Sequence, residues 1–368
     1  MYAIHRQAGE WALMFHGNAF VQFLKEVAPF HRGSQQAGSI NWAMAMGTRP
    51  AAGGRAGFRA MFSAEPWTIG GCGYPDLLAT GELCNGDSIH DAQHPHDLFM
   101  ELAATYDRPL SGTVRWQIYG GPVGEPALGP PGFPHRASAL PNPLAPIAHH
   151  WLDATHITFG VDTTGVYSRR WKAEASAFNG REPDENRTDL DLAPLDSFSG
   201  RLWFLPTERV ALQLSAGHLE EAEKDHLRAP RVDVRRVTAS AAYHRPFAQG
   251  HYWATTLAWG ANREEGETTH AALLESTLSL ADRDTIFWRA EIGRKPAHDL
   301  HIHESNEIFT VGKLQAGYTR YFAARSGVQP GVGGTVSAAI VPDALQPRYG
   351  GFGKGFGVFV TLRPAAHR

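Results

Sequence analysis

The stretch Ile286-Phe-Trp-Arg-Ala-Glu-Ile292 sets Ile286, Trp288, Ala290 and Ile292 on one side of an extended chain, and Phe287, Arg289 and Glu291 on the other. A helix would scatter those apolar positions, whereas a strand, with its period of two, gathers them on one face. The pattern recurs. Phe356, Val358, Val360 and Leu362 alternate with Gly357, Phe359, Thr361 and Arg363, and Phe58, Ala60, Phe62 and Ala64 with Arg59, Met61, Ser63 and Glu65. Ile157, Phe159 and Val161 alternate with His156, Thr158, Gly160 and Asp162. About sixteen such segments follow one another, each reading as a half-buried antiparallel strand.

The spacers between them alternate in length. Asp107–Ser111, Thr163–Val166 and Ala281–Asp284 are short; Glu65–Pro95, Gly121–Asp153, Asn179–Pro194 and Leu219–Asp233 are long. A chain running up and down through one wall, with tight turns on one side and long loops on the other, produces that rhythm, and a sandwich or propeller has no need of it. The expected fold is therefore all-β: a transmembrane antiparallel up-and-down barrel of about sixteen strands, with short periplasmic turns and long extracellular loops. Residues 1–8 read as an N-terminal extension, 9–363 as one barrel domain and 364–368 as a tail. The loops 65–95 and 121–153 are expected to fold into or over the lumen. The second is Pro-rich and apolar, and Pro lowers the entropy lost on ordering a loop.

Composition is compatible with this. A length of 368 residues would ordinarily suggest two or three domains, but large barrels exceed that prior as single units. Lys and Arg number 34 against 37 Asp and Glu, which argues against a nucleic-acid partner because phosphate binding leaves a basic excess. Mean hydropathy is −0.30 and no apolar run is long enough for a spanning helix, yet a membrane barrel averages its two faces into just such a value. The polar face supplies the expected lumen lining: His16, Arg59, Glu65, Glu101, Arg115, Gln117, Asp162, Lys172, Glu174, Arg289, Glu291 and Arg363. Aromatic residues near segment ends, such as Trp116, Trp171, Trp253 and Trp288, suit interfacial girdles. The competing reading, a large soluble all-β protein, would leave ten Trp at such positions facing water.

Histidines are unevenly placed. His90, Asp91, His94, His96 and Asp97 end the loop 65–95, and His149, His150, Asp153 and His156 end the loop 121–153. Imidazole with carboxylate suits borderline divalent metals. Both ends descend into strands one hairpin apart on the same side, so the two groups are expected to meet near the mouth, with Cu or Zn as candidate ions. A third group, His298, His301 and His303, precedes a later strand. The alternative is that these His–Asp pairs pin loops by hydrogen bonding, with Pro95 stiffening the bend. Cys72 and Cys84 would close one loop as a disulfide in an oxidising compartment, or stand as two free thiols. No signal peptide is read after Met1.

The stretches Gln93-His-Pro-His-Asp-Leu-Phe-Met-Glu-Leu102, Gly124-Glu-Pro-Ala-Leu-Gly-Pro-Pro131, His149-His-Trp-Leu-Asp-Ala-Thr-His-Ile157 and Phe178-Asn-Gly-Arg-Glu-Pro-Asp184 resemble an uncharacterised family of Gram-negative outer-membrane β-barrel proteins. Members are often encoded beside copper or cobalt–zinc–cadmium efflux systems. The resemblance covers residues 9–363 and implies a barrel in a heavy-metal-resistance setting, with no family active site to carry over. Two departures stand out: members tend to have a signal peptide and a Met/His-rich leader, whereas this sequence starts almost directly at the first expected strand, and the last strand runs into Arg363-Pro-Ala-Ala-His-Arg368 rather than ending on an aromatic residue.

The function expected from these readings is a passive outer-membrane channel for small polar solutes or ions, without catalytic residues, with a His/Asp metal site at its mouth. A closed metal-binding or sensing barrel and an outer-membrane hydrolase are the alternatives. Expected partners are outer-membrane lipid and lipopolysaccharide, small solutes or metal ions, and further copies of the chain in a homo-oligomer.

Overall fold

The computed structural model describes residues 2–224, 230–302 and 305–365. Its strands run β1 (Ile4–Ala8), β2 (Trp11–Val27), β3 (Gln35–Ala51), β4 (Gly54–Phe62), β5 (Tyr74–Cys84), β6 (Asp87–Gln93), β7 (Phe99–Ser111), β8 (Val114–Val123), β9 (Val161–Tyr167) and β10 (Trp171–Phe178). They continue as β11 (Ser197–Thr207), β12 (Val210–Glu223), β13 (Val232–Ala248), β14 (His251–Glu264), β15 (Glu267–Leu280), β16 (Asp284–Pro296), β17 (Ile308–Tyr321), β18 (Val328–Ile340) and β19 (Gly353–Pro364). Sixteen of them close into one antiparallel barrel. Each strand pairs with its neighbour in sequence, except that β4 pairs with β7 across the β5–β6 hairpin.

Closure falls on β2. Its upper half pairs with β19, from Ala19 opposite Leu362 to Val27 opposite Lys354. Below the end of β19 the short β1 takes over, from Phe15 opposite Ile4 to Trp11 opposite Ala8. The edge of β2 is thus paired over residues 19–27 by β19 and over 11–15 by β1, in line with the need of a wall in lipid to satisfy its backbone amides.

The period-two pattern sorts the wall into two environments. Val21 and Val358 stand outward at 63% and 60% exposure, with Leu257, Ile286, Trp288 and Leu314 on the same outer surface. Inward are Gln22, Glu275, Arg289, Lys313 and Thr319, all buried. An apolar exterior and a polar interior is the membrane-barrel arrangement, the inverse of a soluble barrel.

The turns on the N-terminal side are short, and most connections on the other side are long. One exception is the tight Glu265–Gly266 turn between β14 and β15 on the long-loop side. A second difference lies inside loop 65–95, where β5 and β6 form a hairpin of their own. Asn85 and Gly86 at its tip both have positive φ, the requirement of a type I′ turn. The Cys72–Cys84 disulfide, with Cα atoms 5.6 Å apart, ties the foot of β5 to that tip.

The third difference corrects the lumen assignment of Asp162. Val161 is buried among Leu128, Phe178, Leu219 and Val234, and Thr163 is buried beside Ser176. The inward face here is apolar because the segment 124–160 fills the barrel behind it. Alternation therefore turns Asp162 outward, where it is exposed and lies over Gly120, its register partner. Removing that carboxylate from a lipid-facing wall is expected to stabilise the barrel by about 1–2 kcal/mol. Urea unfolding of Asp162→Leu from lipid vesicles should shift to a higher midpoint; a lower midpoint would return Asp162 to the lumen.

Candidate functional site

Two inserts occupy the barrel interior: residues 63–98 between β4 and β7, and residues 124–160 between β8 and β9. Leu77, Leu78 and Leu152 are fully buried, and Trp151 nearly so. Apolar contact accounts for part of this, since Leu77, Leu78 and Ile147 pack against Phe309, Val311 and Ala339 of the wall. Charge accounts for much of the rest. Glu275 on β15 is 1% exposed and accepts from Arg136 Nε of the second insert (2.7 Å), Arg289 Nε on β16 (3.0 Å) and Ser138 Oγ (2.9 Å). Arg136 also pairs with Asp153. Lys313 on β17 pairs with Asp76 of the hairpin and with Glu26 on β2 (3.4 Å). Lys295 donates to Thr80 at 2.6 Å.

The two histidine groups named from sequence come together between the inserts. Ring centroids lie 5.4 Å apart for His96 and His156, 6.2 Å for His94 and His149, 5.2 Å for His149 and His156, and 5.5 Å for His149 and His150. Phe133 packs on His96 at 5.7 Å. Most rings also hold a polar partner. His96 Nδ1 meets Glu65 Oε1 at 2.9 Å, and its backbone amide donates to Glu65 Oε2 at 2.8 Å. His149 Nδ1 faces Asp153 Oδ1 at 2.9 Å, His156 Nδ1 faces the Asp153 carbonyl at 2.8 Å, and His94 Nε2 lies 3.2 Å from Glu82 Oε1. Burial lowers the pKa of His149, and pushes those of His94 and His156 well below the usual imidazole range. For His96 burial acts the same way, but the charge and hydrogen bond of Glu65 outweigh it and raise the pKa.

The other named residues lie apart from that cluster. His90 stacks on His301 at 4.6 Å, so the third histidine group meets the first there; His303 lies outside the described residues. Asp91, at positive φ, accepts from Leu78 N (2.9 Å), Arg32 (2.8 Å) and Tyr349 (3.2 Å), and so holds the hairpin bend. Asp97 pairs with Arg187 at 3.4 Å.

Three groups among the described residues bring three donor atoms within 4.8 Å of one another: His150 with Glu182 and Glu223, His218 with Glu220 and Asp233, and Asp184 with Asp189 and Asp191. Of the residues named as metal ligands, His150 alone falls in one of them. Its Nδ1 lies 3.1 Å from Glu182 Oε1. Glu182 and Glu223 were not singled out, because each reads as one more charge in a long, solvated loop region.

The lumen residues form a paired inner surface. Glu174 sits between Lys172 (2.6 Å) and Arg201 (3.2 Å) and accepts from Gln117 (3.2 Å). Glu101 receives Tyr119 Oη at 2.7 Å and Arg59 at 3.4 Å, while Arg115 joins Asp107 and Tyr167 near the short turns. Glu291 accepts from the Ala148 amide at 3.1 Å. Arg363 is sandwiched between Tyr2 and Tyr321 at 3.5 and 3.4 Å, and His16 lies against Trp42. Glu65 belongs to the four-residue helix Glu65–Thr68 of the first insert rather than to the wall. Below the inserts, a cavity of about 750 Å³ is lined by His16, Trp42, His135, Tyr252, Tyr321 and Arg363, together with the turns 248–251 and 281–282.

The comparisons with known proteins return outer-membrane porins and channels over nearly the whole chain. The fold is that of a porin. The chain is similar to an anion-selective porin from Comamonas acidovorans, at 12% identity and TM-score 0.52, over 97% of this chain and 100% of that one. It is similar to Salmonella typhi OmpF, solved in complex with daunomycin, at 10% identity and TM-score 0.55, over 98% and 100% of the two chains. The outer-membrane channel DcaP of Acinetobacter baumannii matches at 9% identity and TM-score 0.52, over 97% and 99%. No protein-family model and no curated protein matches the sequence. With its lipid-facing band and porin fold, the chain is a bacterial outer-membrane β-barrel. Breaking the shared carboxylate should show how firmly the inserts are held: Glu275→Gln takes from Arg289 the carboxylate it pairs with and from Arg136 one of its two, and is expected to cost about 3–5 kcal/mol. The heat-modifiable band on semi-native gels should unfold at lower temperature, and an unchanged transition would remove Glu275 as the anchor.

Proposed function

We propose that the protein is a passive channel for small polar solutes or ions, closed at rest by its own inserts. The observation that carries this reading is the inner wall. Glu174, Arg201, Glu275, Arg289 and Lys313 face inward on successive parts of the barrel, and the inserts meet that wall through ion pairs and hydrogen bonds as well as through apolar packing. Water can replace such contacts when an insert withdraws, which it cannot do for a wholly apolar contact. Conduction in this reading is transit along a charged wall, without turnover.

The proposal extends to the histidines. His94, His96, His149, His150 and His156 are a candidate Cu or Zn site, with His90, Asp91, Asp97 and Asp153 as supports, in a heavy-metal-resistance setting. The lowered basicity of the buried rings supports it, since a metal takes the neutral imidazole. A bound ion must leave again if it is to be conducted, so affinity at this site is expected to be modest. Outer-membrane lipid and lipopolysaccharide surround the outer face in this proposal, and homo-oligomers are compatible with it. The second reading, a closed metal-binding or sensing barrel, is favoured by the buried Glu275 and Lys313 ion pairs that fasten both inserts.

Planar-bilayer recording separates the two readings. Reconstituted protein should give discrete conductance steps, larger when residues 130–146 are replaced by a short Gly-Ser linker. Silence from both proteins, with folded barrels verified on gels, would reject the channel in favour of the closed barrel. For the metal site, Cu(II) and Zn(II) titrations of wild type and His94→Ala/His96→Ala should differ by about ten-fold or more in affinity; equal affinities would remove the cluster.

A further inference from the structure

The chain has six methionines, and the five within the described residues, Met14, Met44, Met46, Met61 and Met100, lie on one inward patch of β2, β3, β4 and β7. Met14 is the register partner of Met46, His16 of Met44, and Met44 of Met61. Partners of this kind have Cβ atoms about 4.5–5.5 Å apart on a shared face. Met44, Met61 and Met100 are buried in one cluster with Trp42, and Met46 packs against it. Loop 124–160 brings His135 onto the same patch. Its ring lies 5.6 Å from His16 and 5.1 Å from Trp42, and Trp42 lies 5.1 Å from His16.

Two contacts mark a place within this patch. His16 Nε2 faces Met44 Sδ at 3.1 Å, a nitrogen aimed at a thioether instead of at an oxygen. His135 Nε2 is buried and makes no hydrogen bond. Both histidines and Trp42 line the 750 Å³ cavity below the inserts, so the place is reached from the side of the short turns. No carboxylate hydrogen-bonds His16 or His135 among the described residues.

We propose that His16, Met44 and His135 form a binding site for a soft monovalent cation of the Cu(I) or Ag(I) class, approached from the cavity that His16 and His135 line. Thioether and imidazole donors select such ions. A donor set without a carboxylate suits a single positive charge better than a divalent ion, which would be left uncompensated in a buried place. The Trp42 ring beside both imidazoles adds a π face toward the cation. This site is separate from the cluster at His94 and His96 and does not rest on conduction. The competing account gives the methionines a packing role only, as adaptable apolar filler under the inserts.

The two cysteines are joined in the disulfide, so no thiolate competes for a soft ion. The test is titration of the detergent-purified full chain with silver nitrate in chloride-free buffer, read by calorimetry and by the methyl resonances of 13C-labelled methionine. Wild type should bind Ag(I) with a shift of the Met44 methyl. Met44→Leu, which keeps side-chain volume, and His135→Gln should each weaken binding about ten-fold or more. His94→Ala/His96→Ala should bind Ag(I) as wild type does. Ag(I) affinity unchanged in both Met44→Leu and His135→Gln would overturn the site, as would loss of Ag(I) binding in His94→Ala/His96→Ala alone.

Discussion

A backbone amide in lipid has no water to turn to, so a sheet there must close on itself. In this protein closure needs two pieces, because β19 ends opposite Ala19 and leaves the lower part of β2 unpaired. β1 supplies the missing partner. Once the sheet is closed, alternation fixes the rest of the wall: every second side chain meets lipid and every other one meets the interior. Large apolar residues go outward without penalty, and the interior inherits the charges.

Those interior charges then govern how the inserts sit. Glu275 gathers one arginine from the wall and one from the second insert, and Lys313 gathers one carboxylate from the hairpin and one from β2. Such pairs contribute little net stability over apolar packing but are costly to half-break. They therefore act as registration points that hold the inserts in one position. Asp91 has the same role at a smaller scale, fixing the Leu78 amide, Arg32 and Tyr349 around a bend that neither Leu78 nor Asp91 would adopt readily, both being at positive φ.

The barrel was legible in the sequence because alternation is a local signal that lipid enforces strand by strand, as at Ile286–Ile292. It misled at Val161, where the interior is apolar insert instead of water, so the same pattern points Asp162 the other way. The β5–β6 hairpin was hidden by Pro75 and by irregular pairing around Gly81, although Asn85-Gly86 carried a hairpin signal. Sequence spacing placed the His94–His96 and His149–His156 groups on one side of the barrel; their separations depend on how far each insert descends, which no local pattern encodes. Glu182, and the facing of His16 with Met44, arise from residues far apart or on neighbouring strands, and became visible only with the register.

In the proposed function a conducting lumen lies behind inserts held to the wall. Ser138 Oγ of the second insert and Thr256 Oγ1 of β14 are 2.7 Å apart, so Ser138→Cys/Thr256→Cys should cross-link insert to wall. The most direct measurement is single-channel conductance of this variant before and after reductant, with wild type treated identically to account for the native disulfide. The account predicts silence when oxidised and steps like those of reduced wild type once the cross-link is broken. Equal conductance in both states would contradict it.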